Sequence, residues 1–246
     1  MKPFLILQLR PETEASDDEF AAILRKGGLR PDDVRRVRLE REALPADLRL
    51  DDYCGVIVGG GPGCVSDPPQ HKSAIEARIE AAVLGLMPQI CEQDIPYLGC
   101  CYGIGVLGLH LDSHVSQQRF GEPVGASECH KTGAAVGDAL LAGLPASFAA
   151  FVGHKEALQE LPPGCTHLLS SSACPFQMIR YKSNVYATQF HPEADAAGFA
   201  LRIRIYRDRG YFPPHDADRL IKMCADADVT MPERILGNFV TRYRRN

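Results

Sequence analysis

The sequence predicts an α/β fold: an open, mostly parallel, twisted sheet flanked by helices, with an additional C-terminal helical tail. Three observations carry that expectation. In the first half, apolar runs of strand length alternate with segments of helical apolar spacing, the pattern of a parallel sheet covered on both faces. Two of those runs end in glycine-rich turns. The last stretch of the chain returns to helical spacing.

Residues 4–9 form the first apolar run. Residues 17–26 place Phe20, Ala21 and Leu24 at helical spacing, and Gly27-Gly28 suits a helix stop. Residues 37–39 are a second strand. Residues 55–58 are a fully apolar third strand that runs into Gly59-Gly60-Gly61-Pro62-Gly63. Residues 74–86 place Ile75, Ile79, Ala82, Val83 and Leu86 on one helical face. Residues 95–98 are the next strand, followed by a glycine-rich helical segment over 99–111. Short strands are expected at 124–127, 149–152, 167–169, 177–181 and 185–190. Helices follow at 197–209, stopped by Gly210, then at 216–227 and 232–244, with Pro213-Pro214 as a loop between the first two. No boundary divides the chain. A single domain over 1–246 is expected, with a core of about 1–195 and a helical extension of about 196–246.

Composition narrows the function classes. The chain has 246 residues, enough for a sizeable core. Lys and Arg number 27 against 31 Asp and Glu, a net charge of −4. Such a balance gives no basic footprint for nucleic acid and no polybasic membrane patch. No apolar run reaches membrane-helix length. The basic end at Arg242, Arg244 and Arg245 is expected to be solvated. Nine cysteines cannot all pair within one chain, and no Cys-x-x-Cys occurs. Reduced thiols, a cytoplasmic location, no metal and no cofactor are therefore expected. The sequence leaves the oligomeric state open.

Three motifs carry chemistry. Tyr97-Leu98-Gly99-Cys100-Cys101-Tyr102-Gly103 follows a buried strand and opens a helix. Gly-x-Cys-x-Gly there is the cysteine form of a nucleophile elbow, with small neighbours relieving a crowded turn around Cys101. A helix N-terminus favours a thiolate, so the Cys101 pKa is expected to fall. Gln189-Phe190-His191-Pro192-Glu193 closes another strand. His191 supplies a base, and Glu193 can hold its other ring nitrogen. The glycine turn at 59–63 fits neither the phosphate-loop nor the dinucleotide pattern, but it can aim N–H groups at a developing oxyanion.

Together these motifs resemble the class I (triad-type) glutamine amidotransferases, particularly stand-alone domains similar to the amidotransferase part of GMP synthase. The resemblance runs from about Phe4 to Glu193. It includes Phe151-Val152-Gly153-His154-Lys155-Glu156, and Ala187-Thr188-Gln189-Phe190-His191-Pro192-Glu193 is its most specific string. It implies a flavodoxin-like sheet. It implies Cys101 as the nucleophile that forms a γ-glutamyl thioester, His191 as the base and Glu193 as its orienting partner. The oxyanion hole would come from the backbone N–H groups of Gly61 and Tyr102. Gly60, Gly105 and His154 are expected near the substrate. The substrate would be glutamine or a γ-glutamyl amide, and any synthase partner would be a separate subunit. One position departs from the family pattern: Gly105 stands where the elbow usually carries a substrate-binding Gln. That departure keeps open a stand-alone γ-glutamyl amide hydrolase, or a binding module on the same fold.

Overall fold

The computed structural model describes residues 2–244; Met1, Arg245 and Asn246 lie outside them. Strand β1 (Phe4–Gln8) is buried at every position, as a central parallel strand must be. Helix α1 (Thr13–Gly27) starts a turn earlier than its apolar spacing indicates and ends at Gly28, whose φ of 61° is the left-handed cap expected of glycine. Strands β2 (Val34–Arg38) and β3 (Val56–Val58) pair in parallel on either side of β1. Helix α2 (Ala74–Gln93) opens with a capping box, Ser73 accepting from the Glu76 N–H while the Glu76 carboxylate accepts from the Ser73 N–H. Strand β4 (Tyr97–Cys100) and helix α3 (Tyr102–His110) follow.

The second half extends the same sheet instead of forming a separate one. Strands β6 (Glu122–Lys131), β7 (Ser147–His154), β9 (Cys165–Ser170), β10 (Met178–Tyr181) and β11 (Val185–Thr188) join it, giving the order β2-β1-β3-β4-β11-β10-β9-β6-β7. The five strands from β2 to β11 are parallel, and the rest pair antiparallel. The short strands β5 (Val115–Ser116) and β8 (Ala157–Leu158) form a separate antiparallel pair that strand-length patterning does not reveal.

Alternation along the strands splits the core in two. Phe4 and Ile6 face α1 and the C-terminal helix α6 (Glu233–Tyr243), packing with Ile23, Leu236 and Phe239. Leu5 and Leu7 face α2 and α3, packing with Val83, Ile104 and Leu107. Helices α4 (Ala196–Ile205) and α5 (Ala217–Asp226) close a third cluster over Phe151 of β7. No helix among the described residues is long and apolar enough to cross a membrane.

Register places the site. Gly99 of β4 is level with Val58 of β3 and Ala187 of β11, and Cys100 is level with Thr188. The glycine turn, Cys101 and the 189–193 segment therefore leave the sheet at one carboxyl edge, where open α/β sheets bind ligands.

Candidate active site

The β4–α3 turn holds Cys101 at φ 55° and ψ −88°, a conformation L-residues rarely adopt. Such strain costs about 1–3 kcal/mol and persists only where the surroundings enforce it. Here the Cys101 N–H donates to the Thr188 carbonyl at 2.7 Å. The turn also needs glycine beside it. A Cβ on Gly99 would lie 2.9 Å from the Gly103 carbonyl carbon and 2.6 Å from the Tyr97 hydroxyl. Cys100 points the other way, into the core cluster with Ile57 and Leu98.

His191 is brought to the same edge. Its backbone N–H donates to the Phe151 carbonyl at 3.1 Å, and its ring meets Phe199 edge-on. His191 Nδ1 donates to Glu193 Oε1 at 2.9 Å, which leaves Nε2 as the bare acceptor. Arg202 Nη2 donates to the same carboxylate oxygen at 2.9 Å. Burial alone would raise the Glu193 pKa, but His191 and Arg202 hold the carboxyl well below the usual range. Burial lowers the His191 pKa, against the pull of Glu193. The imidazole therefore rests neutral.

The Cys101 thiol departs from expectation. Burial pushes its pKa up to about 12; Arg10 opposes that rise, while Glu156 and Glu193 add to it. The helix N-terminus contributes only about 0.3–1 kcal/mol, too little to reverse desolvation. The resting pair is a neutral thiol and a neutral imidazole.

Two chambers meet at Cys101, sharing Gly61, Cys101, Gly153 and Tyr211 as their waist. One continues past His191 to Arg10, Arg202 and Tyr206. The other continues past Tyr102 to Lys155, Glu156 and Gln189. Gly61 and Tyr102 thus border the nucleophile, and the Tyr102 N–H, at the first turn of α3, has no acceptor within the helix. Tyr211 comes from the segment after α4. Its hydroxyl donates to the Pro62 carbonyl at 2.6 Å, and Lys155 Nζ lies 4.4 Å from its ring centroid. The C-terminal extension therefore covers the site as well as the sheet.

The three residues expected near the substrate each make close contacts within the protein, and His154 also lines the chamber past Tyr102. The Gly60 N–H donates to Glu19 Oε1 at 3.1 Å, and a Cβ there would sit 2.4 Å from His191 Cε1, so Gly60 is the seat of the histidine ring. Gly105 faces Glu156 Oε1 and Val65 Cγ2, each 3.1 Å from where its Cβ would be; the space a longer side chain would use is already filled. His154 has both ring nitrogens committed, Nδ1 to the Glu156 carbonyl and Nε2 to Glu122, each at 2.9 Å. It has no polar ring atom left for a ligand.

Other residues at the site have no role that the motifs assign. Buried Glu19 of α1 accepts from Gln8, Arg10 and Gly60, tying helix, strand and glycine turn together. Glu156 accepts from the N–H groups of Val65 and Ser66 and from the Ser66 hydroxyl. Gln189 Oε1 is buried without a hydrogen-bond partner. Glu156 and Gln189 lie in strings that the sequence singles out, but no role attaches to them there; Glu19 lies in none. Two triplets, Glu122/His154/Cys174 and Glu19/His191/Glu193, bring potential metal-ligand atoms within 4.8 Å of one another. Glu122 already accepts from Ser127, His154, Ser171 and Gln177. Glu193 Oε1 accepts from His191 and Arg202, while its Oε2 is buried without a partner.

Comparison with known proteins places this geometry. A family model described as glutamine amidotransferase class-I matches residues 20–201. The chain is 30% identical over 186 residues to the glutamine-hydrolyzing GMP synthase of Thermosipho melanesiensis, covering 69% of this chain but 31% of that one. It is 26% identical over 176 residues to one subunit of the glutamine-hydrolyzing GMP synthase of Thermoplasma volcanium, covering 69% of this chain and 79% of that one. The crystal structure of a glutamine amidotransferase from Thermotoga maritima superposes with a TM-score of 0.76 at 19% identity, over 99% of this chain and 98% of that one.

Proposed function

Since the chain belongs to the class I glutamine amidotransferase family, we propose that it is an amidohydrolase that cleaves a γ-glutamyl side-chain amide through a thioester on Cys101. One observation carries this reading: a strained, cavity-lining Cys101 shares its chamber with His191, whose Nδ1 is held by Glu193. With both groups neutral at rest, attack and proton transfer are coupled. His191 Nε2 takes the thiol proton as sulfur adds to the carbonyl carbon, and Gly61 and Tyr102 N–H groups receive the oxyanion. The imidazolium, stabilised by Glu193, then protonates the departing nitrogen. Water, deprotonated by the same imidazole, releases glutamate.

The chamber past Tyr102 suits the glutamyl end. Glu156 and the unpartnered Gln189 Oε1 offer acceptors to an α-ammonium, and Lys155 offers a cation to the α-carboxylate. These groups stand in for the missing amide side chain at Gly105. With all nine cysteines free, the reading fits a reducing cytoplasm. We assign any use of the ammonia to a synthase partner, a reading supported by the 26% identity to one subunit of the Thermoplasma volcanium GMP synthase.

The test is release of ammonia or glutamate from glutamine and γ-glutamyl amides. Wild type is expected to release both products and Cys101→Ala to lose at least a thousandfold in rate. Equal release by the two proteins contradicts the assignment.

A further inference from the structure

The chambers that meet at Cys101 differ in the catalytic group beside them. His191 borders one and not the other. The group that protonates a departing nitrogen must stand beside it. The His191 chamber is therefore the leaving-amine side, and the Glu156 chamber is the glutamyl side.

Ammonia alone needs a passage and little recognition. This chamber is built otherwise. Two guanidinium groups border it, with side-chain exposures of 6% for Arg10 and 7% for Arg202. Arg202 gives Nη2 to Glu193, while its Nε and Nη1 are buried with no hydrogen-bond partner. Arg10 gives Nε to Glu19 and Nη1 to Tyr206, and its Nη2 lies over Gly60 beside His191. A buried charged donor without an acceptor is costly, so these spare N–H groups call for one. Much of the remaining wall is apolar, from Val124, Phe199, Ile203 and Phe212. An apolar sleeve with guanidinium donors complements a short carbon chain ending in a carboxylate.

We propose that this chamber binds a leaving amine that carries a carboxylate, so that the preferred substrate is the γ-glutamyl amide of an amino acid. The proposal rests on the reading that Cys101 forms a γ-glutamyl thioester. The sulfur–carbon bond forms as the thiol proton moves to His191. The carbon–nitrogen bond then breaks, and that proton goes to the nitrogen, so a free amino acid leaves. Water adds to the thioester, the sulfur–carbon bond breaks, and the thiol is restored. One amide and one water give glutamate and one amino acid.

The test compares glutamate release from γ-glutamylglycine, γ-glutamyl-β-alanine, γ-glutamylethylamide and glutamine. Wild type, Arg202→Met, Arg202→Lys and Cys101→Ala are assayed side by side. In wild type, kcat/KM for the better carboxylate-bearing substrate is expected to exceed that for γ-glutamylethylamide at least tenfold. The ratio is expected to fall toward one in Arg202→Met and to recover in part in Arg202→Lys. A disturbed Glu193 slows all substrates together, so the ratio reads recognition alone. No preference for carboxylate, with turnover still dependent on Cys101, overturns this proposal and leaves the thioester reading standing. Turnover that survives Cys101→Ala overturns both. Should no amide be turned over, calorimetry on Cys101→Ala decides. Tenfold tighter binding of a carboxylate-bearing substrate than of the ethylamide, lost on adding Arg202→Met, supports the proposal, and equal or absent binding overturns it.

Discussion

Burial sets the protons at the site before any substrate arrives. Desolvation raises the Cys101 pKa to about 12 and lowers that of His191 from 6.5. In the proposed mechanism the base is the neutral imidazole, present above the His191 pKa. The kcat/KM profile is therefore expected to rise through a limb below pH 6.5 and to stay flat from about pH 7 to 9, without a thiol limb. A limb centred above pH 6.5 would contradict this. Gly60 gives a second residue-scale test. Its φ is not in the left-handed region, so alanine fits the backbone, but the added Cβ lies 2.4 Å from His191 Cε1 and 2.8 Å from Arg10 Nη2. Gly60→Ala is expected to fold normally by circular dichroism and to lose about a hundredfold in kcat, as a displaced catalytic ring does. Unchanged kcat would show that this contact does not hold the ring. Cys101, His191 and Glu193 were legible as candidates because each lies in a short local string. Arg10, Glu19 and Arg202 were not, because their significance comes from contacts across the fold; Gln189 opens the same string as His191, but only its burial without a partner marks it. The direction of the Cys101 shift also escaped sequence reading, since the helix N-terminus is visible in sequence and desolvation is not.

At the scale of elements, patterning located the strands of the main sheet and the α-helices, missed the β5–β8 pair and misplaced some ends. Helix α2 continues through Pro88 to Gln93, past the Leu86 end that its apolar face indicates. Proline lacks the N–H for the helical ladder, which argues for a stop. Burial of Met87, Ile90 and Cys91 outweighs that loss. The antiparallel half of the sheet was visible as strands and not as one continuous sheet, because pairing partners are far apart in sequence. Helix α6 shows what the tail does. Phe239 is fully buried and packs on Phe4 with ring centroids 6.1 Å apart. Phe239→Ala is expected to destabilise the fold by about 3–5 kcal/mol in urea unfolding. A loss under about 1 kcal/mol would mean that α6 is peripheral.

Across the whole molecule, the extension that begins near residue 196 belongs to both core and site. Its α6 closes one face of the sheet, α4 supplies Arg202, and the segment after α4 lays Tyr211 across the nucleophile. The sequence separated a core from a tail because motif density ends at Glu193; the packing does not respect that division. The same arrangement gives Cys101 two neighbouring chambers, one bordered by Lys155, Glu156 and Gln189 and proposed for the glutamyl end, the other bordered by Arg10 and Arg202 and proposed for the leaving group. All of this turns on one thiol among nine. Incubation of the whole protein with a glutamine-derived diazoketone, followed by intact mass and peptide mapping, tests that choice most directly. The account predicts a single adduct on Cys101, blocked by excess glutamine or γ-glutamyl amide and absent in Cys101→Ser. Labelling spread over the other thiols, or undiminished in Cys101→Ser, would contradict it.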